Sequence, residues 1–191
     1  MNVVAFNGSA RRDGNTAILL RHVLAELERE GIHTDLVQLA GARLSGCTAC
    51  LKCFEARDMT CAVKNDVLNA CVQKMVAADG ILIGSPVYFA DATATSKALI
   101  ERAGMVTRAN DHALRRKVGA AVVAVRRGGA VHSLDSINHF FQIGEMVMVG
   151  SSYWNLGVGE PIGAVLDDAE GLQTMRVLGQ TMAWVLQKLH G

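Results

Sequence analysis

Short apolar runs rich in β-branched residues alternate with longer amphipathic stretches along the whole chain. The strand-like runs are Asn2–Asn7, 34–39, 80–85, Val118–Val125 and 146–151. Each is hydrophobic almost throughout instead of at every second position, as expected for a parallel sheet covered on both faces. Helical spacing fills the intervals. Over 15–30, Ile18, Leu19, Val23, Leu24 and Leu27 share one face, and Gly31 is placed to end the helix. Over 66–77, Val67, Leu68, Cys71, Met75 and Val76 should point inward, and further helices are expected over 93–105, 132–144 and 169–189. The resulting βαβαβαβαβα order predicts a right-handed, doubly wound α/β sandwich: a five-stranded parallel sheet with helices on both faces. With 191 residues, half of them hydrophobic, the chain is expected to form a single domain with a large core, and disorder is excluded.

The charge balance removes one class of partner. The net charge is +1, and the basic residues are scattered, with only Arg11/Arg12, 115–117 and Arg126/Arg127 adjacent. No basic stripe exists for a nucleic-acid backbone, so no nucleic-acid partner is expected. No apolar run reaches the roughly 18–20 residues that span a bilayer, and the opening residues read as a strand, not as a signal peptide. The expectation is a cytoplasmic protein with no membrane partner. In that compartment the five cysteines are not expected to pair as disulfides, which points them toward metal or redox chemistry.

The segment Asn7-Gly8-Ser9-Ala10-Arg11-Arg12-Asp13-Gly14-Asn15-Thr16 leaves the first strand and enters the first helix. Loops at the carboxyl ends of parallel strands form the ligand crevice of open α/β sheets. A helix start adds unpaired N–H groups and the positive end of the dipole, which suit a phosphate. Ser9, Asn15 and Thr16 supply neutral donors there, and Arg11 or Arg12 a charged one. The loop contains neither G-x-x-x-x-G-K-[ST] nor G-x-G-x-x-G, so the triphosphate and dinucleotide patterns are both missing. Hydroxyls with one or two arginines and no lysine suit a terminal phosphomonoester such as that of FMN. Taken alone, the same loop also reads as an ordinary capped β-to-α turn.

Three stretches together resemble the NADPH-dependent FMN reductase family, including its iron–sulfur flavoprotein branch. They are Gly8-Ser9-Ala10-Arg11 with Gly14-Asn15-Thr16; Ser85-Pro86-Val87-Tyr88-Phe89 with Lys97 and Ile100-Glu101-Arg102; and the region from Arg126-Arg127-Gly128-Gly129 to Gly150-Ser151-Ser152-Tyr153-Trp154. One departure is Ala10, where the family often has proline. The resemblance implies a flavodoxin-like fold, bound FMN, NAD(P)H as cosubstrate, and a homodimer or homotetramer. It also implies that Pro86, Val87, Tyr88 and Phe89 lie along the isoalloxazine ring. On physical grounds proline fixes such a turn, the following N–H groups can bond ring carbonyls, and the aromatics offer an apolar wall. The other reading is a turn whose aromatics pack into the core. Arg126, Gly128 and Gly129 follow the fourth strand, where glycine permits close approach to the ring and a cation favours the reduced flavin; a solvated basic turn is the alternative. Tyr153 and Trp154, after the last strand, are weaker candidates for the ring and fit core or a subunit contact equally.

Cys47-x-x-Cys50-x-x-Cys53 followed by Cys61 lies in the aperiodic stretch 39–66. A loop that long within a compact fold usually carries function. Four thiolates at this spacing suit a 4Fe–4S cluster, and the pattern resembles the compact motif of iron–sulfur flavoproteins. Zinc and free redox-active thiols are the alternatives, although zinc sites usually space their ligand pairs farther apart. Cys71, on an apolar helix face, reads as core, and the six histidines fall singly without metal spacing.

The expected activity is therefore an FMN-dependent oxidoreductase. It would pass electrons from NAD(P)H to a quinone, flavin, metal or protein acceptor, with no side chain required as acid or base. The alternative is an FMN and iron–sulfur electron carrier without nicotinamide activity; a plain binding module without a redox cofactor is the third reading.

Overall fold

The apolar runs become strands because both faces of the sheet are covered, so each strand divides its side chains between two cores. The computed structural model describes residues 1–190. In chain order its first elements are β1 (Asn2–Asn7), α1 (Asn15–Arg29), β2 (His33–Gln38), α2 (Lys52–Ala56), α3 (Leu68–Ala77), β3 (Gly80–Tyr88) and β4 (Asp91–Ala92). There follow α4 (Ala94–Ala109), β5 (Val118–Val125), α5 (Ala130–Ile143), β6 (Val147–Met148), β7 (Leu156–Val158), a short 3-10 turn (Ala164–Asp167) and α6 (Ala169–His190). The sheet order is β2-β1-β3-β5-β6, parallel throughout, with β7 on the same edge of β5 as a further parallel piece.

Alternation along each strand sorts the core. Val3 and Ala5 of β1, Leu82 of β3, and Ala120 and Val122 of β5 pack against Leu20 and Leu24 of α1 and Leu178 and Met182 of α6. Their neighbours Val4, Phe6, Ile81, Ile83, Ala121 and Val123 face Met75 of α3, Leu99 and Val106 of α4, and Phe140 and Phe141 of α5. β5 is buried along its whole length, as the central position of its run requires. Parallel pairing of β1, β3 and β5 puts their carboxyl ends on one rim, which forms the crevice.

Three details depart from the sequence reading. The expected strand 146–151 survives only as Val147–Met148, opposite Val118 and Gly119; the edge resumes at Leu156–Val158, opposite Val123 to Val125. Between them Gly150-Ser151-Ser152, poor strand formers, lead the chain off the sheet. The excursion exposes Tyr153 and Trp154 as an edge-to-face pair, with ring centroids 4.6 Å apart. β3 runs three residues beyond its expected end because it closes a hairpin, Val87 opposite Ala92 and Tyr88 opposite Asp91. The turn residues Phe89 and Ala90 both take positive φ, 48° and 64°, a geometry that suits hairpin twist but usually falls to Asn or Gly. Val67, expected inward, is exposed at the start of α3.

Candidate functional site

The loop after β1 is pressed against the first turn of α4. The Gly8 N–H donates to the Gly84 carbonyl (2.8 Å), and the Thr93 hydroxyl donates to the Gly8 carbonyl (2.8 Å). A Cβ at residue 8 would run into the Ser96 hydroxyl, so glycine is required for this approach. Gly14 leads into α1 with no side-chain cap, which leaves the first N–H groups of the helix without an internal partner. Ser9 is buried; its oxygen accepts the Arg11 N–H (3.1 Å), leaving its own proton to donate. The Thr16 hydroxyl is buried and has no partner, in a residue 1% exposed. An unpaired buried hydroxyl is costly, and an anion seated on the helix start would satisfy it.

Asn15 takes a different part from the one expected. Its Nδ2 donates to the carbonyls of Gly159 and Pro161 (2.9 Å each), and its Oδ1 accepts the Gly163 N–H (2.9 Å). The side chain is thus spent on fastening the 159–163 loop and offers no free donor to a phosphate. That loop brings Glu160 to the crevice. The Glu160 carbonyl accepts from Arg11 (3.3 Å), and its carboxylate pairs with Arg126 (3.0 Å).

A cavity of about 180 Å³ opens here, lined by Ser9, Arg11, Asn15, Thr16, Pro86, Val87, Tyr88, Ala124, Arg126 and Glu160. Eight of the residues expected from sequence therefore meet in one place. Phe89 does not: at the hairpin tip it is fully solvent-exposed, because the two-residue turn points it away from the crevice. Gly128 is outside the cavity lining, and a Cβ added there would meet open space. Gly129 has φ +90°, and a Cβ there would lie 2.7 Å from Ala90 Cα and 2.9 Å from Val87 Cγ1. Its service is to let the hairpin carrying Val87 and Tyr88 pack close. Ala124 and Glu160 were missed. Ala124 was legible as a small residue at a strand end, whereas nothing local marks Glu160. With two arginines, an uncapped helix and an orphaned hydroxyl, these residues fit the phosphate of FMN.

The cysteine segment is largely irregular, with left-handed residues at Ala49, Leu51, Arg57 and Met59 around the short α2. Cys47, Cys50, Cys53 and Cys61 nevertheless line one narrow cavity, closed on its inner side by Arg102, Met105 and Val106 of α4. The Cys47 N–H donates to the Glu101 carboxylate (3.1 Å), and Asn69 brackets Cys61 through its N–H (2.7 Å) and carbonyl (3.1 Å). The Lys52 backbone N–H and the Thr48 hydroxyl hold the Cys50 thiol below its ordinary pKa, whereas burial pushes Cys53 up. Among the described residues, no three potential ligands stand together at coordinating distance. The donor set, four soft thiols around one cavity, still fits an iron–sulfur cluster in its chemistry. Cys71 lies in the core as expected, its thiol pushed up to about 11 by burial.

Among the described residues, no helix is long and apolar enough to cross a membrane. The family model of the NADPH-dependent FMN reductases matches residues 1–160. An iron–sulfur flavoprotein of Methanocaldococcus jannaschii is 38% identical over 194 residues, covering 98% of each chain. Among solved structures, RosB with bound 8-demethyl-8-formylriboflavin-5′-phosphate superimposes with a TM-score of 0.73 at 16% identity, over 99% of this chain and 80% of that one. A flavodoxin from the domain Archaea gives a TM-score of 0.63 at 14% identity, over 98% and 99%. The fold is flavodoxin-like.

Proposed function

The chain belongs to the NADPH-dependent FMN reductase and iron–sulfur flavoprotein family, and from that premise we propose an FMN-dependent oxidoreductase in which FMN and a cysteine-held iron–sulfur centre exchange electrons. Bound FMN would supply the step between two-electron donors such as NAD(P)H and one-electron carriers.

The observation that carries this reading is that one helix serves both sites. Thr93 caps α4 and its hydroxyl holds the phosphate loop, and the same helix reaches the cysteine cavity at Glu101 and Arg102. At 1.5 Å per residue, the nine steps from Thr93 to Arg102 set these two residues about 14 Å apart along the helix axis. In this reading Ser9, Thr16 and the first N–H groups of α1 hold the phosphate, with Arg11 and Arg126 supplying charge. Asn15 positions the Glu160 loop over them. Pro86, Val87 and Tyr88 face the ring, Gly129 supports their hairpin, and Phe89 and Gly128 lie outside the cavity lining. Cys47, Cys50, Cys53 and Cys61 hold the metal. Residues 1–191 act as one domain, working in the cytoplasm as a homodimer or homotetramer on a small-molecule or protein acceptor.

Nicotinamide activity is tested by anaerobic stopped-flow mixing of the FMN-loaded, iron- and sulfide-reconstituted protein with NADPH and with NADH. Flavin bleaching at catalytic rates supports the reductase. If neither bleaches it, while a reduced one-electron donor does, the protein is an electron carrier, the reading favoured by its resemblance to the iron–sulfur flavoprotein. A protein that takes up no FMN on titration refutes both.

A further inference from the structure

Beside the four cysteines lies a charged group that the cofactor assignment does not use. Arg102 is 1% exposed, in the middle of α4, on the helix face turned toward the cysteine cavity. Its guanidinium pairs with Asp66, whose side chain is equally buried, and donates to the Val63 carbonyl (3.2 Å) and the Ser45 carbonyl (3.5 Å). Its Nη2 also lies 3.4 Å from Cys61 Sγ, within hydrogen-bonding range of sulfur. Its Nε is buried and unpartnered. Ser45 and Val63 flank the cysteine segment, so one planar fork reaches both ends of it. The preceding residue, Glu101, accepts the Cys47 N–H from the same helix.

Burying a guanidinium requires a strong reason, because the ion pair it forms rarely repays the desolvation of both charges. A purely structural clamp would be served by neutral donors. A cation with one N–H aimed at a ligand sulfur and another uncommitted does more. It offsets the negative charge that four thiolates concentrate in one cavity, and hydrogen bonds to cluster sulfurs are a principal control on cluster potential.

We propose that Arg102 is a positioning residue for the iron–sulfur centre: its fork joins the two ends of the cysteine loop, and its charge and its hydrogen bond to Cys61 raise the potential at which the centre is reduced. This rests on the cluster reading given above. The reduced centre carries one more negative charge than the oxidised one, so a neighbouring cation favours reduction. Arg102 therefore biases electrons away from the flavin and toward the cysteine loop.

The test uses full-length protein loaded with FMN and reconstituted anaerobically with iron and sulfide, as wild type, Arg102→Lys and Arg102→Gln. Iron content and FMN affinity report whether each variant is folded and loaded. The readout is the midpoint potential of the centre, followed by its electron paramagnetic resonance signal in a redox titration. Arg102→Gln is expected to shift the potential to more negative values, and Arg102→Lys, which keeps the charge but loses the fork, to shift it less in the same direction. FMN affinity should be unchanged. Variants with full iron content and the wild-type potential would overturn the proposal and leave Arg102 a structural clamp. If Arg102→Gln does not fold or load, Arg102→Lys alone decides by the same criterion. Wild-type protein that binds FMN but takes up no iron and sulfide overturns the cluster reading and this inference together, and is told apart from the previous result by the metal content.

Discussion

Replacing Thr16 with valine should move two measurements in opposite directions. Valine matches threonine in shape and branching, so neither packing nor helix geometry changes appreciably. What is removed is a hydroxyl that lies buried without a partner in the FMN-free chain. An unsatisfied buried polar group costs about 1–3 kcal/mol, so its removal should stabilise the FMN-free protein by that order. For a chain of this size each kcal/mol raises Tm by about 2–4 °C. In the FMN complex the same hydroxyl would donate to a phosphate dianion, and hydrogen bonds to charged groups contribute about 1.5–3 kcal/mol. Its loss should weaken FMN binding by roughly 10- to 150-fold. Differential scanning fluorimetry of the FMN-free protein and a flavin-fluorescence titration read the two effects. Thr107→Val is the control: that hydroxyl donates to the Ala103 carbonyl (2.8 Å), so stability should fall while FMN affinity holds. A Thr16→Val protein with lowered Tm and unchanged FMN affinity would refute the assignment of the phosphate to this helix start.

Asn15→Leu leaves the Gly159 and Pro161 carbonyls and the Gly163 N–H without their partner. It should destabilise the FMN-free protein by at least about 2 kcal/mol, besides weakening FMN binding; an unchanged Tm in urea or heat unfolding contradicts the fastening role. Gly129→Ala places a methyl 2.7 Å from Ala90 Cα at φ +90°. The hairpin must shift, with an expected loss of about 1–3 kcal/mol and of ring-side affinity, and crystallography showing the hairpin unmoved would count against this. The Cys71 thiol is raised from 9.0 to about 11 by burial. Its contribution to stability is complete below pH 9 and is lost as pH rises toward 11, up to about 2.7 kcal/mol. Cys71→Val should flatten that alkaline decline in denaturant midpoints, and a decline identical to wild type would dissociate it from this thiol.

The order of strands and helices was legible in the sequence because burial on both faces of a parallel sheet writes itself as continuous apolar runs. β1, β2, α1, β5 and α6 fall within a residue or two of their expected bounds. The β-to-α turn after β1 was legible because Ser9 accepts from its neighbour Arg11 and Gly14 opens α1 locally, whereas Gly8 acts through Gly84, Thr93 and Ser96 far along the chain. Contacts between distant segments decided the rest. Whether the Asn15 amide met a phosphate or the 159–163 loop depended on where a segment nearly 150 residues away would pass. The splitting of the last strand and the outward turn of Phe89 depended on how much of the β5 edge and of the Gly129 surface each segment could reach. In the sequence Arg102 stood only within the Ile100-Glu101-Arg102 stretch that carries part of the family resemblance, with no role of its own. Only the packing of α4 beneath the cysteine loop buried it against Cys61. The donors were written locally, and the environment that gives each its charge, partner and exposure arose from long-range packing, which a single sequence read alone leaves open.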